Sequence, residues 1–152
     1  MTWILQLVWA FFGSMGFAGI FNVRGKKLIT GSLGGLIAWG VYLFARHWIG
    51  SDPICYLIAT IVLTVYSETL ARFTHTPAIL FTISGAIPLI PGGSLYKTMS
   101  FAVNSNWDAF FTLGITTLLL AVAIAGGILL TMSIWQVVSN IVRLLHGRKK
   151  RS

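Results

Sequence analysis

The sequence predicts an all-α, polytopic membrane protein of about five transmembrane helices, the fourth interrupted at a Pro/Gly break. Three observations carry this prediction. Of 152 residues, 56% are hydrophobic and only 9% charged, against roughly 25% charged in a soluble domain, and mean hydropathy is +0.84. The charges sit in clusters between long apolar runs, and one of those runs, 76–102, carries Pro88, Pro91, Gly92 and Gly93 near its middle. At about 20 residues per crossing, the chain is expected to form one integral membrane domain over 1–152, with no soluble domain.

The first span is expected over 3–21. It lacks a basic leader and exceeds the length of a signal-peptide core, so it reads as a retained span. Gly13, Gly16 and Gly19 recur every third residue beside Ser14 and Ala18, and small residues along a helix let a second backbone approach closely. A basic turn, Asn22 to Lys27, leads to a second span over 28–48, where Gly31 and Gly35 form a G-x-x-x-G pair. The two spans should form a tight hairpin with their small faces inward. Arg46, His47 and Trp48 suit the far interface. Gly50-Ser-Asp-Pro53 is a turn in which Asp52 can cap the next helix.

The third span is expected over 54–73, with Glu68 and Arg72 four residues apart on one face. The fourth, 76–102, is expected to break near 88–93, because proline lacks an amide proton and clashes with the preceding turn. Asn104 to Asp108 is a polar break with a second capping candidate, Asp108. From 109 to 142 the chain is apolar, with only a weak break at Gly126-Gly127. One long tilted helix is preferred there to two short spans, with 143–152 a basic cytoplasmic tail.

The net charge of +8 is placed for topology rather than for nucleic acid. With the amino terminus outside, Arg24, Lys26, Lys27, Arg72 and Arg148 to Arg151 all fall on the cytoplasmic side, as positive-inside bias requires. Asp52 and Asp108 fall outside, and Arg46 is the one basic residue that breaks the pattern. An even number of spans would expose a basic cluster, so five is preferred.

Several runs carry a resemblance. Phe21-Asn-Val-Arg-Gly-Lys-Lys-Leu, Gly31-Ser-Leu-Gly-Gly, Ala71-Arg, Pro77-Ala and above all Ile87-Pro-Leu-Ile-Pro-Gly-Gly-Ser-Leu-Tyr-Lys-Thr-Met99 resemble the threonine/serine exporter superfamily. The length is similar to that of the small membrane-only subunit (the YjjB type) of its two-component members. This resemblance implies export of threonine or serine driven by an ion gradient, in the inner membrane, beside a larger homologous subunit with a soluble amino-terminal domain. Some members are linked to dicarboxylates such as succinate. A homo-oligomeric channel and a non-transporting structural subunit are the alternatives.

The candidate site residues come from physics. In hydrocarbon, broken backbone is tolerated only where it is buried in protein or lines a water-filled cavity. Helical from Pro77, the chain would reach Pro91 roughly 20 Å along the axis, near mid-membrane. A half-helix starting at Ser94 would then aim free amides and a positive dipole end inward, which favours a carboxylate. The expected substrate path is therefore Pro88, Pro91, Gly92, Gly93, Ser94, Tyr96 and Lys97. The competing reading is a kinked helix with Lys97 snorkelling to headgroups. Glu68 is the candidate for ion coupling, tuned by Arg72, against a plain salt bridge near the interface.

The remaining polar residues carry weaker signals. His47 and His75 lie at span ends, where solvated histidine is unremarkable. Asn22, Asn104, Asn106 and Thr98 can hydrogen-bond a zwitterion, and Trp3, Trp9, Trp39, Trp48, Trp107 and Trp135 suit packing or interface anchoring better than an aromatic substrate box. A single cysteine, Cys55, excludes an internal disulfide. No metal-ligand spacing and no cofactor motif occurs, and three scattered acidic residues make an enzyme an unattractive reading.

Overall fold

Long apolar stretches without proline can satisfy their backbone only by coiling into helices. The computed structural model describes residues 2–149, with side chains over 2–141. The helices are α1 (Trp3–Ile20), α2 (Lys26–Ile49), α3 (Asp52–Thr74), α4 (Ala78–Ala86), α5 (Gly92–Val103) and α6 (Trp107–Lys149), with a 3-10 turn, Ile87–Leu89, between α4 and α5. Four of them are long and apolar enough to cross a membrane, and α4 with α5, bent by 57° at the break, has the length and composition of a fifth, broken span or of a re-entrant loop.

Helix α2 is the centre of the bundle, packed by α1, α3 and α4, while α6 lies along α3 and α5 lies along α6. Small residues decide how close these helices come. A Cβ built on Gly35 would run into the Ser14 side chain of α1 and stand 3.3 Å from the Pro88 ring. On Gly34 it would lie 3.3 Å from Leu63 of α3, on Gly85 of α4 only 2.5 Å from the same leucine, and on Gly127 of α6 3.0 Å from the Leu57 carbonyl of α3. Such near-backbone contact is how membrane helices gain packing energy when no hydrophobic effect separates lipid from leucine.

Thr60, Thr64 and Ser84 bond one turn back along their own helix. Thr60 Oγ1 donates to Tyr56 O at 2.9 Å, Thr64 to Thr60 O at 2.8 Å and Ser84 to Leu80 O at 2.8 Å, so they are buried without a desolvation cost. Large apolar side chains point the other way. Phe44, Phe73 and Val122 are 66%, 79% and 68% exposed, the outward face that a lipid solvent requires.

Two polar ties fix the ends. At one end Lys27 Nζ donates to Thr76 Oγ1 at 2.7 Å, joining the α1–α2 turn to the α3–α4 turn. At the other, Arg46 Nε lies 3.4 Å from Asp52 Oδ1 across the α2–α3 turn. There Gly50 takes the left-handed conformation, φ 70°, and its amide closes α2 on the Arg46 carbonyl at 3.3 Å.

Several expectations need correcting. Gly13, Gly16 and Gly19 meet nothing within 4 Å; the packed face of α1 is instead Ala10, Ser14 and Ala18, which share the four-residue spacing of one helix face. Asp52 does not cap α3. It is the first helical residue, after Ser51, and its carboxylate is held by Arg46. At α6 the cap is Asn106 rather than Asp108, its Oδ1 accepting from the Ala109 amide at 3.3 Å. The stretch from 109 is one helix, α6, and it runs on to Lys149, so 143–149 of the expected tail are helical, as leucine- and arginine-rich sequence allows. Residues 150–152 lie outside the described residues.

Candidate functional site

The break between α4 and α5 is made by Pro91 more than by Pro88. Ile87 keeps helical angles, φ −50° and ψ −47°, and Pro88 sits inside the 3-10 turn. Ile90, by contrast, is extended at φ −64° and ψ 122°, because the ring of Pro91 disfavours the α region for the residue before it. The chain restarts as α5 at once, Leu95 N donating to Pro91 O at 3.0 Å. Pro88 lies against Gly35, near the middle of α2, so the bend falls midway through the bundle.

Two cavities, each of about 340 Å³, lie beside α1 and α2. The inner one is lined by Gln6, Trp9, Ala10 and Gly13 of α1, Trp39 of α2, and Ile87 and Pro88 of the break. The outer one is lined by Trp3 and Gln6 of α1 and by Trp39, Tyr42, Leu43, Arg46 and His47 of α2. They meet at Gln6 and Trp39, whose side chains are bonded, Trp39 Nε1 donating to Gln6 Oε1 at 3.2 Å. Behind the outer cavity, Arg46 Nη1 donates to the Tyr42 hydroxyl at 3.0 Å, and that hydroxyl donates to Asp52 Oδ1 at 3.3 Å. Aromatic stacking stiffens this wall, Tyr42 lying 4.9 Å from Trp39 and 4.6 Å from Tyr56 between ring centroids.

Of the residues expected to form the path, Pro88 lines the inner cavity. Pro91, Gly92, Gly93, Ser94, Tyr96 and Lys97 line neither cavity. Pro91 and Ser94 are half-buried, Gly92, Gly93 and Lys97 are exposed, and Tyr96 is 76% exposed, because α5 packs chiefly along α6 and turns its other face outward. Glu68 is half-buried on α3. Among the described residues it forms no ion pair with Arg72; the Arg72 guanidinium instead lies 5.0 Å over the ring of Trp135 on α6. No three His, Cys, Asp or Glu side chains converge as a metal site among the described residues.

Gln6, Trp39, Tyr42 and Arg46 were not singled out from the sequence as site residues. One signal was present: Gln6 is the sole amide side chain in α1, and a polar side chain inside a membrane span is expensive enough to ask for a function. Trp39 and Arg46 were legible only as packing and as a topological exception.

The family described as "Threonine/Serine exporter, ThrE" matches residues 6–134, a stretch that contains the lining of the inner cavity, that of the outer cavity apart from Trp3, and all of α4 and α5. No solved structure matches the chain. With most of its length matched to that family and its helices built to cross a bilayer, the chain belongs to the threonine/serine exporter family and is a multi-pass membrane protein of transporter type.

Proposed function

We propose that this chain is one membrane subunit of a secondary exporter for threonine and serine, working with a larger homologous subunit that carries a soluble amino-terminal domain. The observation that supports this best is the coincidence of the family match with an apolar helix pair, α4 and α5, whose 57° bend borders a cavity in mid-bundle. Broken helices beside a cavity are where secondary transporters bind cargo and rock between two access states. In this reading the amino terminus is outside the inner membrane and the carboxyl terminus cytoplasmic, so the Arg46 end of the bundle faces out.

The exposed face of α5 argues for a partner. Lys97 and Tyr96 project from a short half-helix, and a lysine at that depth is costly against lipid but not against a polar groove. The path from Pro88 through Pro91, Gly92, Gly93, Ser94, Tyr96 and Lys97 is then completed between the two subunits. Glu68, half-buried on α3, is the proposed ion-coupling carboxylate, with Arg72 one turn further along the same helix.

The test is efflux of threonine from preloaded cells carrying the chain alone, the chain with its larger partner, and Lys97→Ala in the complex. Efflux only with the partner, lost in Lys97→Ala while the complex still assembles, is the expected result. Leakage from the chain alone without a gradient overturns it in favour of a homo-oligomeric channel. Efflux of succinate but not threonine reassigns the cargo to dicarboxylates.

A further inference from the structure

The two cavities adjoin along α1 and α2 and share part of their walls. Only Gln6 and Trp39 line both chambers, and the two side chains are hydrogen-bonded to each other where the chambers meet. The chambers differ in chemistry. The outer one presents Arg46, His47 and the Tyr42 hydroxyl; the inner one is walled by Trp9, Ala10, Gly13, Ile87 and Pro88. One turn past Ala10 the Ser14 hydroxyl is fully buried with no hydrogen-bond partner among the described residues, against Gly35 and beside Pro88.

Arg46 is suited to receive an anion. It commits Nε to Asp52 and Nη1 to Tyr42, which fixes the guanidinium, yet its side chain is 57% exposed. A guanidinium has five N–H donors in a planar fork, so a pair is left for a carboxylate in bidentate geometry. The Gln6–Trp39 contact is a single neutral hydrogen bond between two half-buried side chains. Such a bond is weak in net terms and is opened by a rotamer change of either residue.

We infer that the groove is an amino-acid vestibule, in which Arg46 takes the carboxylate of a small zwitterion and the Gln6–Trp39 pair is the gate to the chamber at Pro88. The identity of the zwitterion rests on the exporter reading; the gate does not.

The test uses a charged, membrane-impermeant thiol reagent on intact cells expressing the full chain and on inside-out vesicles made from them. Cys55 is fully buried, so the unmodified chain serves as the blank. His47→Cys reports the outer chamber and Gly13→Cys, at a position with open space around it, the inner one. His47→Cys should label from one side, and Gly13→Cys at least tenfold more slowly from that side. Adding Trp39→Phe, which removes the donor but keeps an aromatic ring, or Gln6→Ala should raise Gly13→Cys labelling about tenfold.

Serine should slow labelling of His47→Cys severalfold, whereas ethanolamine, the same molecule without its carboxylate, should not. Equal Gly13→Cys rates with and without both gate substitutions overturn the gate, and so does failure of His47→Cys to label from either side. Protection by ethanolamine equal to that by serine, or none by either, overturns the role given to Arg46. Absence of threonine and serine efflux from the complex counts against the exporter reading alone, because the gate arm contains no cargo.

Discussion

Gly35→Ala should push α1 away from α2, and the structure sets the size of the effect. The new methyl would overlap Ser14 Oγ and stand 2.8 Å from Ser14 Cβ. The hydroxyl can swing aside by rotation, but the Cβ cannot, and ordinary contact begins near 3.4 Å. The helices must therefore separate by roughly 0.6 Å or more, and the Pro88 ring of the 3-10 turn, at 3.3 Å, blocks retreat on that side. Overpacking of this kind costs about 1–3 kcal/mol, which at about 2–4 °C per kcal/mol for a chain of this size lowers the melting temperature in detergent by roughly 2–12 °C. The assay is the monodisperse fraction after heating, for Gly35→Ala, Ser14→Gly and the pair. Ser14→Gly alone costs about 0.5 kcal/mol of helix propensity but removes the clashing atoms, so the pair should be more stable than the sum of the single variants predicts. A Gly35→Ala chain as stable as the parent, or equal losses in the two Ser14 backgrounds, would refute the close-approach argument.

The other interfaces give smaller and distinct outcomes. Tyr66→Phe deletes the 2.6 Å bond to the Thr30 carbonyl and should cost about 1 kcal/mol, read as a fall in the same melting temperature. Lys27→Met and Thr76→Ala each break the tie between the two turns at one end; each should cost about 1–2 kcal/mol, and the double variant little more than either. Arg72→Ala removes the cation over Trp135 and should cost about 0.5–2 kcal/mol; a Trp135→Leu background should abolish the difference. Asp52→Asn at a pair whose side chains are 57% and 41% exposed should shift stability by less than about 1 kcal/mol.

The sequence by itself determined the solvent, the long apolar helices and the place of the break. Those follow from local facts: too few charges for water, apolar runs long enough for a bilayer, and a proline at 91 whose ring acts on the residue before it. It also marked Gly31 and Gly35 as a packing pair, because glycine in an apolar helix has little other use. It did not distinguish that pair from Gly13, Gly16 and Gly19, which look the same and meet nothing. Which stripe of small residues is used depends on the rotation of α1 about its axis, and that is set by Ser14 fitting Gly35, a contact between residues 21 positions apart. The groove was hidden for the same reason. Gln6 lies 33 positions from Trp39 and pairs with it only once α1 and α2 are antiparallel in that register. Glu68 and Arg72 show the reverse case. Helical spacing puts them on one face, but a ring from α6 takes up the guanidinium. Periodicity fixes which residues share a face of one helix, and only packing between helices decides which faces meet.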